Sequence, residues 1–263
     1  MAAGAELAGR AVLVTRPQHQ ADALAQLIRS HGGEPVLFPT IAIRDASDPQ
    51  PLQRAVANRA EFDLAVFASA NAVMKAWPRL AAAGGLSPRT RLAAVGEGTA
   101  SALRAAGAVD VIVPAQGADS EALLATAALR DMSGRRVAIF TGVGGRDLLA
   151  AELAGRGAVV DVVPCYERVR PEIPVAPVHA RIAGGSIAAV TATSAEGVRN
   201  LYEMLAADAV ALARLPHVVP HERIAQAARD RGAVAVHVCA SGDAAMVSAL
   251  IALLGVGLVA AGS

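Results

Sequence analysis

The chain is poor in aromatic residues, at 3% of its 263 positions, and has one lysine, Lys75, among 24 basic residues. Nucleic-acid binding needs a positive face and rings that stack on bases. A net charge of +1 with no basic run argues against that class of partner. The first explanation for so many arginines is genome composition, although the arginine fork also suits carboxylates. Only two cysteines occur, Cys165 and Cys239, with no metal-ligand spacing, so neither a disulfide framework nor a metal site is expected. Reduced thiols fit a cytoplasmic protein. No apolar run reaches membrane-spanning length, and no membrane partner is expected. The segment MAAGAELAGR at the N-terminus lacks the basic and apolar regions of a secretory signal. Charged residues are scarce (18%) against 54% hydrophobic ones, a balance that excludes a disordered chain.

What the chain does have is the same pattern twice. Gly9 answers Gly134, and the same offset of 125 residues relates Gly32 to Gly157, Pro39 to Pro164, Ser69 to Ser194, Glu97 to Glu222 and Gly107 to Gly232. GRAVLVTR (9–16) matches GRRVAIFT (134–141), and VFASANAV (66–73) matches TATSAEGV (191–198). Two copies of one unit predict two similar lobes, with ligands expected in a cleft between them.

Within each copy, short apolar runs alternate with helical patterns. Strands are predicted at 10–15, 63–68, 91–95 and 109–113, and again at 136–140, 187–191, 217–219 and 234–239. Helices are predicted at 20–31, 49–60, 71–83, 99–106 and 120–129, the last capped by Ser120, and at 147–157, 195–205, 222–231 and 243–254. The tail from Val247 to Ala261 is read as a buried helix with a loose end. This alternation predicts an α/β protein of two doubly wound, flavodoxin-like lobes with parallel sheets covered on both faces. Segments 35–43 and 159–168 are extended and interrupted by Pro39 and Pro164. Proline is confined to sheet edges and bends, so both segments qualify as crossings between lobes. The patterns permit one discontinuous lobe and do not demand it.

Ligands of doubly wound sheets sit beyond the carboxyl ends of the strands. The loops expected there are small and hydroxyl-rich: 15–17, Ser69-Ala70-Asn71, Gly96 to Thr99, 141–145 with Gly144 and Gly145, Thr193-Ser194 and His221-Glu222-Arg223. Each leads into a helix start, where free N–H groups attract anions. Ser69 and Ser194 also serve as helix caps. No GxGxxG or P-loop lysine supports a nucleotide, so no nucleotide cofactor is expected, and no nucleophile elbow appears. Of the six histidines only His221 stands at a predicted strand end, with capping as its plainest role. Tyr166, one of two tyrosines, follows the Pro164 break. A phenol keeps its proton at neutral pH and can assist a departing hydroxyl; packing as an amphipathic anchor is equally open.

Several motifs together resemble the uroporphyrinogen-III synthase family: VLVTRP (12–17), GGEPVLFPTI (32–41), FASANAV (67–73), VGEGTASAL (95–103), GGRDLL (144–149), YERVRP (166–171), TSAEGV (193–198) and VPHERIAQAA (219–228). The likeness spans residues 9–252. It departs at Ala68, where threonine is common, and at Thr141 and Val143, which replace an arginine and an asparagine. The resemblance implies a discontinuous first lobe (1–36 and 172–263), a second lobe (43–164) and linker strands at 37–42 and 165–171. It implies a cofactor-independent lyase that dehydrates and closes hydroxymethylbilane, an eight-carboxylate linear tetrapyrrole, with inversion of ring D. It also implies a monomer that receives its substrate from hydroxymethylbilane synthase. A non-catalytic tetrapyrrole-binding or sensor paralogue is the alternative, favoured by the altered 141–143 loop. By motif match Tyr166 assists the leaving hydroxyl. Ser69, Ala70, Asn71, Gly96, Thr99, Gly144, Gly145, Thr193, Ser194, His221, Glu222 and Arg223 face the substrate, and Arg16 and Arg146 pair with carboxylates.

Overall fold

A computed structural model describes residues 6–145 and 147–255. The first repeat runs β1 (Ala11–Val14), α1 (Gln18–Ser30), β2 (Glu34–Leu37), β3 (Ala42–Asp45), α2 (Gln50–Ala57), β4 (Leu64–Phe67), α3 (Ala70–Ala82), β5 (Arg91–Ala94), α4 (Glu97–Ala105), β6 (Val111–Ile112) and α5 (Ser120–Leu124). The second runs β7 (Arg136–Gly142), α6 (Leu148–Gly155), β8 (Val159–Val169), α7 (Ala176–Ala183), β9 (Ile187–Thr191), α8 (Ala195–Met204), α9 (Ala209–Arg214), β10 (His217–Val219), α10 (Glu222–Arg229), β11 (Val236–Val238) and α11 (Asp243–Leu254).

The repeats are not the folding units. One unit joins Met1–Ala42 to Val169–Ser263, and the other is Ile43–Arg168. The first holds a five-stranded sheet in the order β11-β10-β9-β1-β2, and the second a six-stranded sheet in the order β3-β8-β7-β4-β5-β6. Each sheet therefore takes the leading strands of one repeat and the trailing strands of the other. The pairs β1–β2, β1–β9, β9–β10 and β10–β11 are parallel, as are β4–β5, β4–β7, β5–β6 and β7–β8. Both units are flavodoxin-like α/β sheets. Segments 37–42 and 165–171 each contain a junction between units, and both are partly built into regular structure. Ala42 opens β3, and residues 165–169 complete β8.

Both faces of each sheet are covered, as parallel sheets require. In the first unit Leu13 and Val190 pack on one side, and Val12, Val14 and Ala189 on the other. In the second, Phe67 and Phe140 share one side, while Val66 and Ile139 share the opposite one. This is the period-2 alternation of strands expressed as two core layers. The stacked Phe67 and Phe140 rings, 4.8 Å between centroids, tie together the carboxyl ends of β4 and β7.

Local chemistry explains the element boundaries. Helix α1 buries Ala21, Leu24, Ala25 and Ile28 at helical spacing. The chain then turns through Gly32, whose φ of 76° is left-handed; its repeat partner Gly157 has φ 87°. Helix α5 departs from expectation. Its cap is Asp119, whose carboxylate accepts from the Ala122 N–H at 2.8 Å, and not Ser120. It ends at Leu124, with a separate 3-10 turn at Ala127–Leu129 replacing the predicted continuation. Helices α7 and α9 were not predicted; α7 carries Pro177 in its first turn, a recognised start signal. Helix α11 ends at Leu254, and residues 256–261 of the expected tail lie outside the described residues.

Candidate functional site

In a doubly wound sheet the ligand crevice lies where the strand order reverses. In the second unit that point falls between β7 and β4. Strand β4 runs into Ala68 and Ser69, and Ser69 caps α3 by accepting the Ala72 N–H at 3.2 Å. The Tyr166 hydroxyl lies 3.0 Å from Ser69 Oγ, and either oxygen can be the donor.

A register shift brings Tyr166 there. Thr141 pairs with Pro164, but the next residue, Gly142, pairs with Tyr166 and skips Cys165. In a regular strand neighbouring side chains face opposite ways. Here Cys165 and Tyr166 both enter the same core cluster, the re-aiming that a bulge produces. The Val143 N–H donates to the Tyr166 carbonyl at 2.8 Å and secures the distorted end. Tyr166 is 4% exposed, so its ring packs in the core with its hydroxyl on the serine. Burial pushes the neighbouring Cys165 thiol up to about 12. That thiol stays protonated at neutral pH and is no nucleophile.

The other predicted residues of this unit divide by exposure. Ala70 and Asn71 form the half-buried first turn of α3. Gly96 begins α4 without a side-chain cap and is covered by Ala118, whose Cβ would stand 2.8 Å from a Cβ at position 96. Thr99 is buried at 7%. Gly144 and Gly145 are exposed in the turn after β7. Arg146 lies outside the described residues.

In the first unit the order reverses between β1 and β9. The Thr15 hydroxyl donates to the Thr191 carbonyl at 2.8 Å, and Thr191 Oγ1 to the Leu13 carbonyl at 3.2 Å. Ser194 repeats the role of Ser69 by accepting the Gly197 N–H at 2.9 Å to cap α8, with Thr193 half-buried before it. Arg16 is already paired: its Nη1 is 2.5 Å from Asp243 Oδ1, the two side chains being 15% and 22% exposed. Arg16 Nε is buried without a hydrogen-bond partner. His221, Glu222 and Arg223 are exposed at the start of α10, which has no side-chain cap. Glu222 is ion-paired with Arg229.

Asp243 is not among the residues predicted for the site, and Gly142 is predicted only as part of the 141–145 loop. Asp243 carried no local signal, because its partner is 227 positions away in the chain (Arg16 to Asp243). Gly142 is placed by the sequence in the 141–145 loop, two residues past the strand predicted at 136–140; only because β7 continues to Gly142 does it become a strand glycine at a close approach. Among the described residues no group of three or more His, Cys, Asp or Glu side chains is placed to hold a metal ion. No helix there is long and apolar enough to cross a membrane.

Fold and sites together define a class: two flavodoxin-like α/β units built from exchanged halves of one repeat, with serine-capped helices at both points of strand-order reversal. A family model described as "Uroporphyrinogen-III synthase HemD" matches residues 22–247. The chain belongs to the uroporphyrinogen-III synthase family. The uroporphyrinogen-III synthase of Salmonella typhimurium is 31% identical over 224 residues, covering 84% of this chain and 91% of the relative. That of Synechococcus elongatus is 33% identical over 208 residues, covering 77% of each. A crystal structure of a mutant uroporphyrinogen III synthase from Thermus thermophilus has the same fold, with a TM-score of 0.61 at 22% identity over 94% of this chain and 99% of that one.

Proposed function

We propose that this chain is a uroporphyrinogen-III synthase: a cofactor-independent lyase that removes water from hydroxymethylbilane and closes the macrocycle with ring D inverted. The observation that carries the reading is the Tyr166 hydroxyl, 3.0 Å from Ser69 Oγ at the carboxyl end of a parallel sheet, in a chain of this family.

Ser69 Oγ already accepts the Ala72 N–H. When Ser69 donates its own hydrogen to the phenol oxygen, the phenolic hydrogen is free for the hydroxyl that departs from the substrate. Proton transfer breaks the C–O bond and releases water. The pyrrole nitrogen supplies the electron pair that stabilises the resulting cation. The Tyr166 oxygen then carries negative charge beside a serine donor and the N-terminal end of α3, both of which favour an anion. Ring closure needs no stronger acid, and its direction is set by how the chain is held. Uncapped first-turn amides of α4 and α10 and the caps of α3 and α8 suit the acetate and propionate carboxylates. Asn71, Thr99, Gly144, Gly145, Arg146, Thr193, His221 and Arg223 stay in that binding role. We place the protein in the cytoplasm as a monomer supplied by hydroxymethylbilane synthase.

The test is incubation with enzymatically generated hydroxymethylbilane and separation of the product isomers. Formation of the type III isomer is the expected result. Recovery of only the type I isomer, which forms spontaneously, refutes the assignment.

A further inference from the structure

The backbone does not require a glycine at position 142, since Gly142 is not among the glycines with positive φ. Space does require it. A Cβ built there would stand 2.8 Å from Tyr166 Cζ, 3.0 Å from Cε2 and 3.1 Å from the hydroxyl oxygen. All three contacts lie at the polar end of the ring, the end that meets Ser69. Cross-strand partnership with Tyr166 fixes where the glycine sits, and the ring belongs to the buried core cluster of its unit. A methyl group at this point meets the hydroxyl-bearing end of the phenol, the end held on Ser69.

The repeat offers an internal comparison. The 125-residue offset carries Ser69 onto Ser194, Tyr166 onto Ile41 and Gly142 onto Pro17. The first unit keeps the serine cap at its own point of reversal, with Ile41 beside the same helix start: its Cδ1 is 3.8 Å from a Cβ placed at Gly197. The phenol and the glycine are absent there together.

We propose that Gly142 is a positioning residue for the dehydration step: its missing side chain holds the Tyr166 hydroxyl on Ser69, and equips the second unit alone for proton delivery. The proposal rests on the synthase assignment for its kinetic arm and on geometry alone for its spectroscopic arm. Gly142→Ala should lower kcat about 10- to 100-fold, the scale of an ångström-sized misplacement, with KM little changed because the carboxylate-holding groups are untouched. In a Tyr166→Phe background the same substitution should cost nothing more, since no hydroxyl remains to misplace. The chain has only two tyrosines, so with 13Cζ-labelled tyrosine the Tyr166 resonance, assigned from Tyr166→Phe, should shift in Gly142→Ala while that of Tyr202 stays. If Gly142→Ala does not fold, Ser69→Gly removes the partner hydroxyl, keeps a tolerated cap residue, and should shift the same resonance and lower kcat. An unmoved Tyr166 resonance in either variant, an unchanged kcat in Gly142→Ala, or losses that multiply in the double variant overturn the proposal. A wild-type chain that makes no type III isomer removes the synthase assignment, while the resonance shifts still decide whether Gly142 sets the ring.

Discussion

Tyr166→Phe separates the chemistry of the site from its architecture. The substitution keeps the ring, which is 4% exposed and packed in the core of its unit, and deletes one hydroxyl. In stability terms the loss is the 3.0 Å hydrogen bond to Ser69 Oγ, a net of about 0.5–1.5 kcal/mol. Ser69 is not left bare, because its oxygen still accepts the Ala72 N–H. For a protein of this size about 1 kcal/mol moves Tm by roughly 2–4 °C, so the variant should remain folded at assay temperature. Activity should fall much further. A positioned general acid contributes about 10²–10⁴-fold, and departure of a hydroxyl that a pyrrole already assists needs no more than the bottom of that range. We expect turnover to drop by about one to two orders of magnitude. The assay couples hydroxymethylbilane synthase to the variant, quantifies type III against type I isomer, and is paired with thermal unfolding of the same samples. Wild-type turnover in Tyr166→Phe would refute proton assistance by Tyr166. A large fall in Tm would show that the hydroxyl is structural.

Two further outcomes concern the first unit. His217 is fully buried; its Nδ1–H donates to the Leu215 carbonyl at 2.8 Å, and its Nε2 faces the Tyr202 hydroxyl at 3.3 Å. Burial lowers its pKa below the ordinary histidine value. The unfolded chain therefore takes up a proton near pH 6.5 that the folded chain refuses. Stability is fully present above that pH and declines as pH falls toward the lowered folded pKa. Urea midpoints measured between pH 8 and pH 5 should show the decline, and His217→Gln should flatten it. Asp243→Ala strips the partner from the largely buried Arg16, whose Nε already lacks one, and should cost about 1–3 kcal/mol by denaturant unfolding. Arg16→Met in the same chain should recover most of that loss, and its failure to do so would show that the pair does not act as a unit.

Much of the fold is visible from local patterns. Strands β9 and β10 and helix α11 match their predicted limits, since apolar runs and helical spacing are short-range signals. Helix α9, six residues long with Leu212 its one buried side chain, is not visible in this way, and α7 is not predicted either, although it is as long as α2, α6 and α10. Ser69 and Ser194 could be recognised as caps from their place before apolar helices. The free amides expected at α4 were also foreseeable, but the Ala118 cover over Gly96 was not, because it comes from a loop outside the motif.

By itself the sequence determined that there are two copies, the order of most strands and helices in each, and the short list of residues with chemistry to offer. Spacing, capping and chain reversal at glycine are local properties, so they can be read one window at a time. Tertiary structure alone decided that β1 pairs with β9 and β7 with β4, exchanging the halves of the repeats. Both β4 and β9 are short, apolar and nearly interchangeable in pattern, so the choice of partner depends on contacts across the whole chain. Tertiary structure also decided the bulge that turns Tyr166 onto Ser69. One skipped residue in a pairing register leaves no trace in composition, yet it determines which side chain reaches the serine.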